Sequence, residues 1–243
     1  MFIQWLDHKL YPEYKSNWDD HLFRESILDR VQPNHHILDV GAGAGIVSQM
    51  DFRGRVEHVC GIDPDSRVVN NPYLDEGKVS MAEKIPYSAN SFDLVFSDNV
   101  LEHLERPHEV FVEVQRVLKP GGEFLVKTPN KRHYVTLISR FTPHWFHRAF
   151  NRMRGREYED TFPTRYRANS VNDFQELANA SKLELEEVRL LEGRPEYLRF
   201  SSITYVIGWW YERLVNRFDA LAGFRVLLIG KFRKPKTSLA DRA

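Results

Sequence analysis

The chain has 243 residues, 42% of them hydrophobic and 28% charged, with a formal net charge of zero and a single cysteine, Cys60. These values describe a globular domain with room for an appended lobe; they exclude a disulfide framework within the chain, and with no basic-then-apolar leader in the first ten residues they point to the cytoplasm. The longest apolar stretch, 203–211, falls far short of the roughly 20 residues of a membrane span, and the lack of net positive charge disfavours nucleic acid as a partner.

Residues 1–35 predict a helical and irregular N-terminal segment. Phe23, Ile27, Leu28 and Val31 recur at spacings of three and four, as on a helix packed against a sheet, and Pro33 ends the pattern. Apolar runs follow at 37–40, 56–62, around Val79, 92–96 and 124–126, with helical connections between them. That alternation predicts a parallel sheet covered on both faces. The first run leads into Asp39-Val40-Gly41-Ala42-Gly43-Ala44-Gly45. Glycine at every second position lets a ligand approach the backbone, and the acid ahead of it suits a ligand with a positive group. A dinucleotide fold is the rival reading, but Ile46 stands where its G-x-G-x-x-G/A fingerprint needs a small residue. The second run ends in Gly61-Ile62-Asp63-Pro64, where an acid can accept hydrogen bonds from both ribose hydroxyls of an adenosine. Capping of the next helix by Asp63 or Asp65 is the alternative. Val110, Val114, Val117 and Leu118 then mark a helix that stops at the turn signal Lys119-Pro120-Gly121-Gly122.

Beyond Pro129 the alternation lapses for about forty residues. From Lys131 to Arg167 there are nine Lys or Arg against three acids, interleaved with His133, Tyr134, Trp145, Phe146 and Phe150. Arginines 140, 148, 152, 154 and 156 suit a phosphate or carboxylate. Ser170 reads as the N-cap of a helix carrying Val171, Phe174, Leu177 and Ala178, and 183–191 as a sixth strand with a bulge at Glu186-Glu187. Residues 224–232 predict a seventh. Between them Ile203, Ile207, Trp210, Leu214, Phe218 and Leu221 predict a helix packed on the body. Tyr205, Trp209 and Glu212 would then lie on its outer side, where the aromatics also suit peripheral membrane contact. The resulting division is an N-terminal helical segment 1–35, a ligand-binding core 36–129, a basic and aromatic lid 130–169 and a C-terminal part of the same fold 170–243.

The glycine turn with its preceding acid resembles motif I of the class I S-adenosylmethionine (SAM)-dependent methyltransferases. Met81-Ala82-Glu83-Lys84-Ile85-Pro86-Tyr87, followed by Ser91-Phe92-Asp93-Leu94-Val95, is similar to the small-molecule (type 11-like) subgroup, and Arg116 to Gly122 matches its segment before strand five. The matches run from about residue 37 to 127. The resemblance implies an α/β Rossmann-like fold with a seven-stranded, mostly parallel sheet, its seventh strand antiparallel, helices on both faces and an inserted lid. It implies SAM as cofactor, held by Asp39 near the methionine part, Gly41, Ala42, Gly43, Asp63, Pro64, Ala82, Glu83 and Ser97. Met81 stands where an adenine-binding acid is common in the subgroup, and the counterpart of Asp93 is structural. His103, at the end of strand four, is a candidate base with a capping role as its rival, and His133 is a second catalytic candidate. Glu102-His103 also resembles the Glu-x-x-Glu-His of metal-using methyltransferases, but Asn99 replaces the first acid, so no metal is expected. The implied reaction is O-methylation of a small-molecule, lipid-linked or glycan acceptor of anionic character. An RNA ribose methyltransferase and a noncatalytic SAM-binding protein are the alternatives.

Overall fold

A computed structural model describes residues 2–14, 17–141 and 163–236. Seven strands form one sheet: β1 (His36–Val40), β2 (His58–Asp63), β3 (Glu76–Val79), β4 (Phe92–Asp98), β5 (Leu118–Pro129), β6 (Glu184–Leu191) and β7 (Leu227–Arg233), in the order β3-β2-β1-β4-β5-β7-β6. β7 pairs antiparallel with both neighbours, and the other pairs are parallel. The helices are α1 (Phe2–Leu10), α2 (Trp18–Leu28), α3 (Pro107–Val117), α4 (Tyr134–Phe141), α5 (Val171–Ser181) and α6 (Ser202–Arg217).

Each strand side chain points to the face opposite its neighbours', so the near-continuous apolar runs serve two cores. Leu38, Val40, Cys60, Ile62 and Val95 pack against Val110, Val114 and Val117 of α3 and Phe174, Leu177 and Ala178 of α5. On that face Phe111 meets Phe124 and Phe232 edge-on, with ring centres 5.3 and 5.1 Å away. Ile37, Val59, Leu94 and Phe96 face the other way, onto Phe23 and Ile27 of α2 with Met50 and Phe52. Asp93 has the structural role expected of it: its carboxylate accepts from the His36 amide at 2.9 Å and the Lys119 ammonium at 2.7 Å.

Three expectations need correction. Residues 41–57 contain only a short 3₁₀ turn, Ser48–Met50, where a helix between β1 and β2 was expected; α2 and Phe52 cover that face instead. The Lys119–Gly122 turn signal lies inside β5, with the bend taken up by Gly121 at φ +83°. The third concerns α6, whose orientation is reversed. Ile203, Ile207, Trp210, Leu214 and Phe218 are exposed, while Tyr205, Gly208, Glu212 and Val215 are buried. The reason is α1: Tyr205 Oη donates to Asp7 at 2.8 Å and Tyr11 Oη donates to Glu212 at 2.9 Å, so the polar side of α6 finds partners inside. The expected bulge in β6 is present, as a register shift between Leu185 and Glu187.

Candidate active site

The order of strands reverses between β1 and β4, and in open α/β sheets ligands settle at the carboxyl ends of the strands beside such a switch. A cleft of about 970 Å³ opens there, lined by the glycine turn, Asp39, Asp63, Pro64, Ala82, Glu83, Asp98, His103 and His133 among others. Ser97 is the exception among the residues expected to hold cofactor. It is fully buried outside the cleft lining, its hydroxyl donating to the Val40 carbonyl at 3.1 Å. A strand residue next to a cleft-facing acid points the other way, which is why the motif's neighbourhood misleads for this one side chain.

The turn is held by its neighbours rather than by its own side chains. Gly41 and Ala42 amides donate to the Ile62 carbonyl at 2.8 and 3.1 Å, and Asn71 Nδ2 donates to the Ala42 and Gly43 carbonyls at 2.9 and 3.2 Å. Gly41, at φ +90°, has no room for a Cβ, which would lie 2.2 Å from Val100 Cγ2. Gly43 differs. Its φ of +53° strains any side chain, yet a Cβ there would meet only Asp63 Oδ2, at 3.9 Å, so the space above it is open to a ligand. Asp63 clamps the turn, accepting from the Gly43 amide at 2.9 Å and the Asp65 amide at 2.8 Å, one on each oxygen. A carboxylate has about four acceptor sites, so two remain for hydroxyls. Capping falls to Asp65, which accepts from the Arg67 amide.

The other end of the turn is strongly acidic. Asp39 is buried, and burial, then the charges of Asp98 and Asp63, hold its carboxyl well above the usual range. Asp98 is pushed up to about 7 by burial, against the pull of Lys127. Lys127 is fully buried with Asp20, Asp98 at 2.9 Å and Asp19 at 3.2 Å around its ammonium; burial opposes its charge, but the three acids outweigh it and raise its pKa. Asp19, Asp20, Asp39 and Asp98 all line the cleft, and three of the four share one ammonium. The residual negative charge suits a cationic ligand. Neither Lys127 nor its two partners at the start of α2 carries a sequence signal, because the contacts span more than a hundred residues.

The two candidate histidines differ in which nitrogen is turned outward. His103 Nδ1 lies 3.0 Å from the Pro163 carbonyl, which can only accept, so the proton is on Nδ1 and Nε2 is the ring's acceptor, 3.9 Å from Glu102 Oε1. Burial lowers its pKa, partly offset by the Pro163 carbonyl, so the ring is neutral above the usual histidine range. His133 is turned the opposite way. Its Nδ1 accepts from the Val135 amide at 3.4 Å, and Nε2 faces Glu192 Oε2 at 3.4 Å, out of line for a hydrogen bond. Burial drops His133 to about 3 and lifts Glu192 to about 8. Although His133 lines the cleft, this arrangement fits a packing role beside Tyr134 and Tyr211 better than a base.

Glu102 is also buried, pushed up to about 7 by burial, and accepts from Thr128 Oγ1 at 3.0 Å. Its backbone carbonyl accepts from the Arg165 and Tyr166 amides, tying the end of the lid to the turn that carries His103. Among the described residues, the ligand-type side chains close enough together to share an ion are His58, Cys60 and Glu76, on β2 and β3, and Glu102 and His103 form no such set. The basic block is largely beyond view: the side chains of Arg140, Trp145, Phe146, Arg148, Phe150, Arg152, Arg154 and Arg156 lie outside the described residues. Among those within it, Lys131 pairs with Asp173 and Arg165 with Glu105, while Arg167 donates to the Glu105 backbone carbonyl.

Residues 38–126 match the family model of a methyltransferase domain. Over this stretch the chain is similar to SAM-dependent methyltransferases. Over 122 residues it is 32% identical to the sterol 4-C-methyltransferase strm-1 of Caenorhabditis elegans, covering 43% of this chain and 36% of that protein. It is 30% identical over 135 residues to the tRNA U34 carboxymethyltransferase of Saccharophagus degradans, covering 50% of this chain and 40% of the relative. The chain thus spans less than half the length of these two relatives. The crystal structure of the [4+2]-cyclase SpnF superposes with a TM-score of 0.57 at 19% identity, covering 92% of this chain and 85% of that one, a likeness of fold.

The residues of this cleft fit the cofactor of such methyltransferases. SAM consists of a methionine part that carries an ammonium and an adenosine whose ribose is bonded to the sulfonium. The uncompensated acids around Asp39 suit the first, and the spare acceptor sites of Asp63 beside the open Gly43 suit the second. Pro64, Ala82 and Glu83 line the same cleft beyond Asp63, where adenine would extend.

Proposed function

We propose that the protein transfers the methyl group of SAM to an oxygen of a small-molecule or lipid-linked acceptor. The observation that carries this reading is the placement of His103 in the same cleft as the acidic SAM end, with Nε2 as its acceptor nitrogen. Bound SAM supplies an electrophilic methyl on sulfur. His103 Nε2 takes the proton of the attacking hydroxyl, while the Pro163 carbonyl holds Nδ1–H and thereby the tautomer. Tyr134, Pro163 and Tyr197 line this end of the cleft, a surface suited to an acceptor with an apolar body. Arg194 and Arg199 in the cleft wall already pair with Asp7 and Glu196.

Methyl-labelled SAM offered to separated pools of lipid and small-molecule, glycan and RNA acceptors tests the proposal. Label is expected in the lipid and small-molecule pool and should fall with His103→Gln. Label in RNA would support the second reading, favoured by the relative that acts on tRNA. SAM binding with no label in any pool would favour a protein that uses the fold without transferring methyl.

A further inference from the structure

The reversed helix α6 presents an apolar stripe with no covering element among the described residues. Ile203 is 75% exposed, Trp210 63%, Ile207 59%, Phe218 53% and Leu214 50%. At 100° per residue the four within the helix, Ile203, Ile207, Trp210 and Leu214, fall within one arc, and Phe218 follows at its C-cap. Arg213, Val206 and Arg217 border it and are exposed, and the acid on the helix, Glu212, is turned inward to Tyr11 and Asn216. Phe200 just before the helix and Phe224 beyond it are also exposed. Together the five stripe residues expose roughly 600 Å², the top of the range for the largest patch on an ordinary monomer.

We propose that this stripe docks the protein on an anionic membrane surface, with α6 lying in the plane of the interface. The chemistry favours lipid over a second copy. An apolar arc with an arginine at its edge is the pattern of an interfacial helix, with Trp210 at headgroup depth and Arg217 toward anionic headgroups, while Arg213 pairs with Glu212 and lies over Tyr11 and Trp209. A stable protein partner needs about 800 Å² per side, more than the stripe offers. With 16 residues α6 is too short to span, and no helix among the described residues is long and apolar enough to cross a membrane. The opposite side of the same helix adjoins the cleft. Gly208 on the inner side of α6 packs so closely on Pro195 and Leu198 that a Cβ would lie 2.5 and 3.0 Å from them, and the cleft is lined by Pro195, Glu196 and Tyr197. Docking by α6 therefore sets the acceptor end of the cleft beside the lipid.

The test is sedimentation of the full chain with phosphatidylcholine vesicles, with and without phosphatidylglycerol, at low and high salt. Binding is expected to the anionic vesicles, weakening with salt, and should drop roughly tenfold or more in the double variant Ile207→Glu, Leu214→Glu. The melting temperature of that variant should be nearly unchanged, because Ile207 and Leu214 are at least half exposed. Arg217→Glu should weaken binding and flatten its salt dependence. No binding to anionic vesicles at low salt, or equal binding by the double variant, overturns the proposal. So does a dimer in sedimentation equilibrium that the double variant dissociates, which would give the stripe to a second copy, or a lowered melting temperature, which would make it part of the core. The readout is independent of methyl transfer, so its outcome does not depend on the proposed reaction.

Discussion

His103→Gln separates the proposed base from its scaffold. A glutamine amide can still donate to the Pro163 carbonyl, as Nδ1 does at 3.0 Å, but it cannot take a proton. A positioned general base contributes about 10² to 10⁴ in rate, so the variant should lose that factor in kcat, roughly 2.7 to 5.5 kcal/mol of transition-state stabilisation. SAM affinity should hold, because a general base acts on the acceptor's proton and not on the cofactor's binding groups. His103→Ala additionally loses the Pro163 bond, worth about 1 kcal/mol or a fall of roughly 2 to 4 °C in Tm for a chain of this size. The pH profile gives an independent reading. Burial holds the imidazole pKa below its usual value, so with saturating SAM the rate should rise with pH below that pKa and be flat above it. The glutamine variant should lack this acidic limb. Initial rates of S-adenosylhomocysteine formation, with the acceptor found by labelling, measure both. A variant within about threefold of wild type, under 1 kcal/mol, would refute the assignment.

Lys127→Met should lower Tm by roughly 6 to 20 °C in thermal unfolding, since removing one member of a buried ion cluster costs about 3 to 5 kcal/mol and here leaves three acids facing one another. Adding Asp20→Asn should recover part of the loss. SAM affinity should rise between about pH 6 and 7.5. Asp98, near 7, is partly protonated there, and a cation bound beside it favours the ionised form and releases protons. Calorimetry in buffers of differing ionisation enthalpy would count those protons, and pH-independent affinity would count against the acidic end as the cation site. Gly43→Val should weaken SAM by filling the open space above the turn and straining a φ of +53°.

The sheet and the cofactor motifs were legible because they are local. A strand buried on both faces reads as an apolar run, and a turn approached by a ligand needs glycine wherever it occurs; Gly43 shows that need directly. What the sequence hid depends on distant partners. Periodicity in 203–221 correctly predicted an amphipathic helix but could not say which side faced in. That was decided by Asp7 and Tyr11 of α1, almost two hundred residues away, which satisfy Tyr205 and Glu212. Lys127 reads as one polar residue in a strand until Asp19 and Asp20 are brought to it. His133 and His103 look alike as candidates, and only their neighbours' amide and carbonyl reveal which nitrogen of each carries the proton. Asn71, which fastens the glycine turn from outside the motif, gave no signal at all.

The central claim is that SAM occupies the cleft with its ribose on Asp63, and calorimetric titration of SAM into the wild-type protein and Asp63→Ala tests it most directly. Hydrogen bonds to a charged acceptor contribute about 1.5 to 3 kcal/mol each. Stoichiometric binding by wild type is therefore expected, with affinity at least about tenfold weaker in the variant. Melting curves of the two unliganded proteins would separate this from the loss of the bonds to Gly43 and Asp65. Failure of the wild-type protein to bind SAM, or equal affinity in a folded Asp63→Ala variant, would contradict the account.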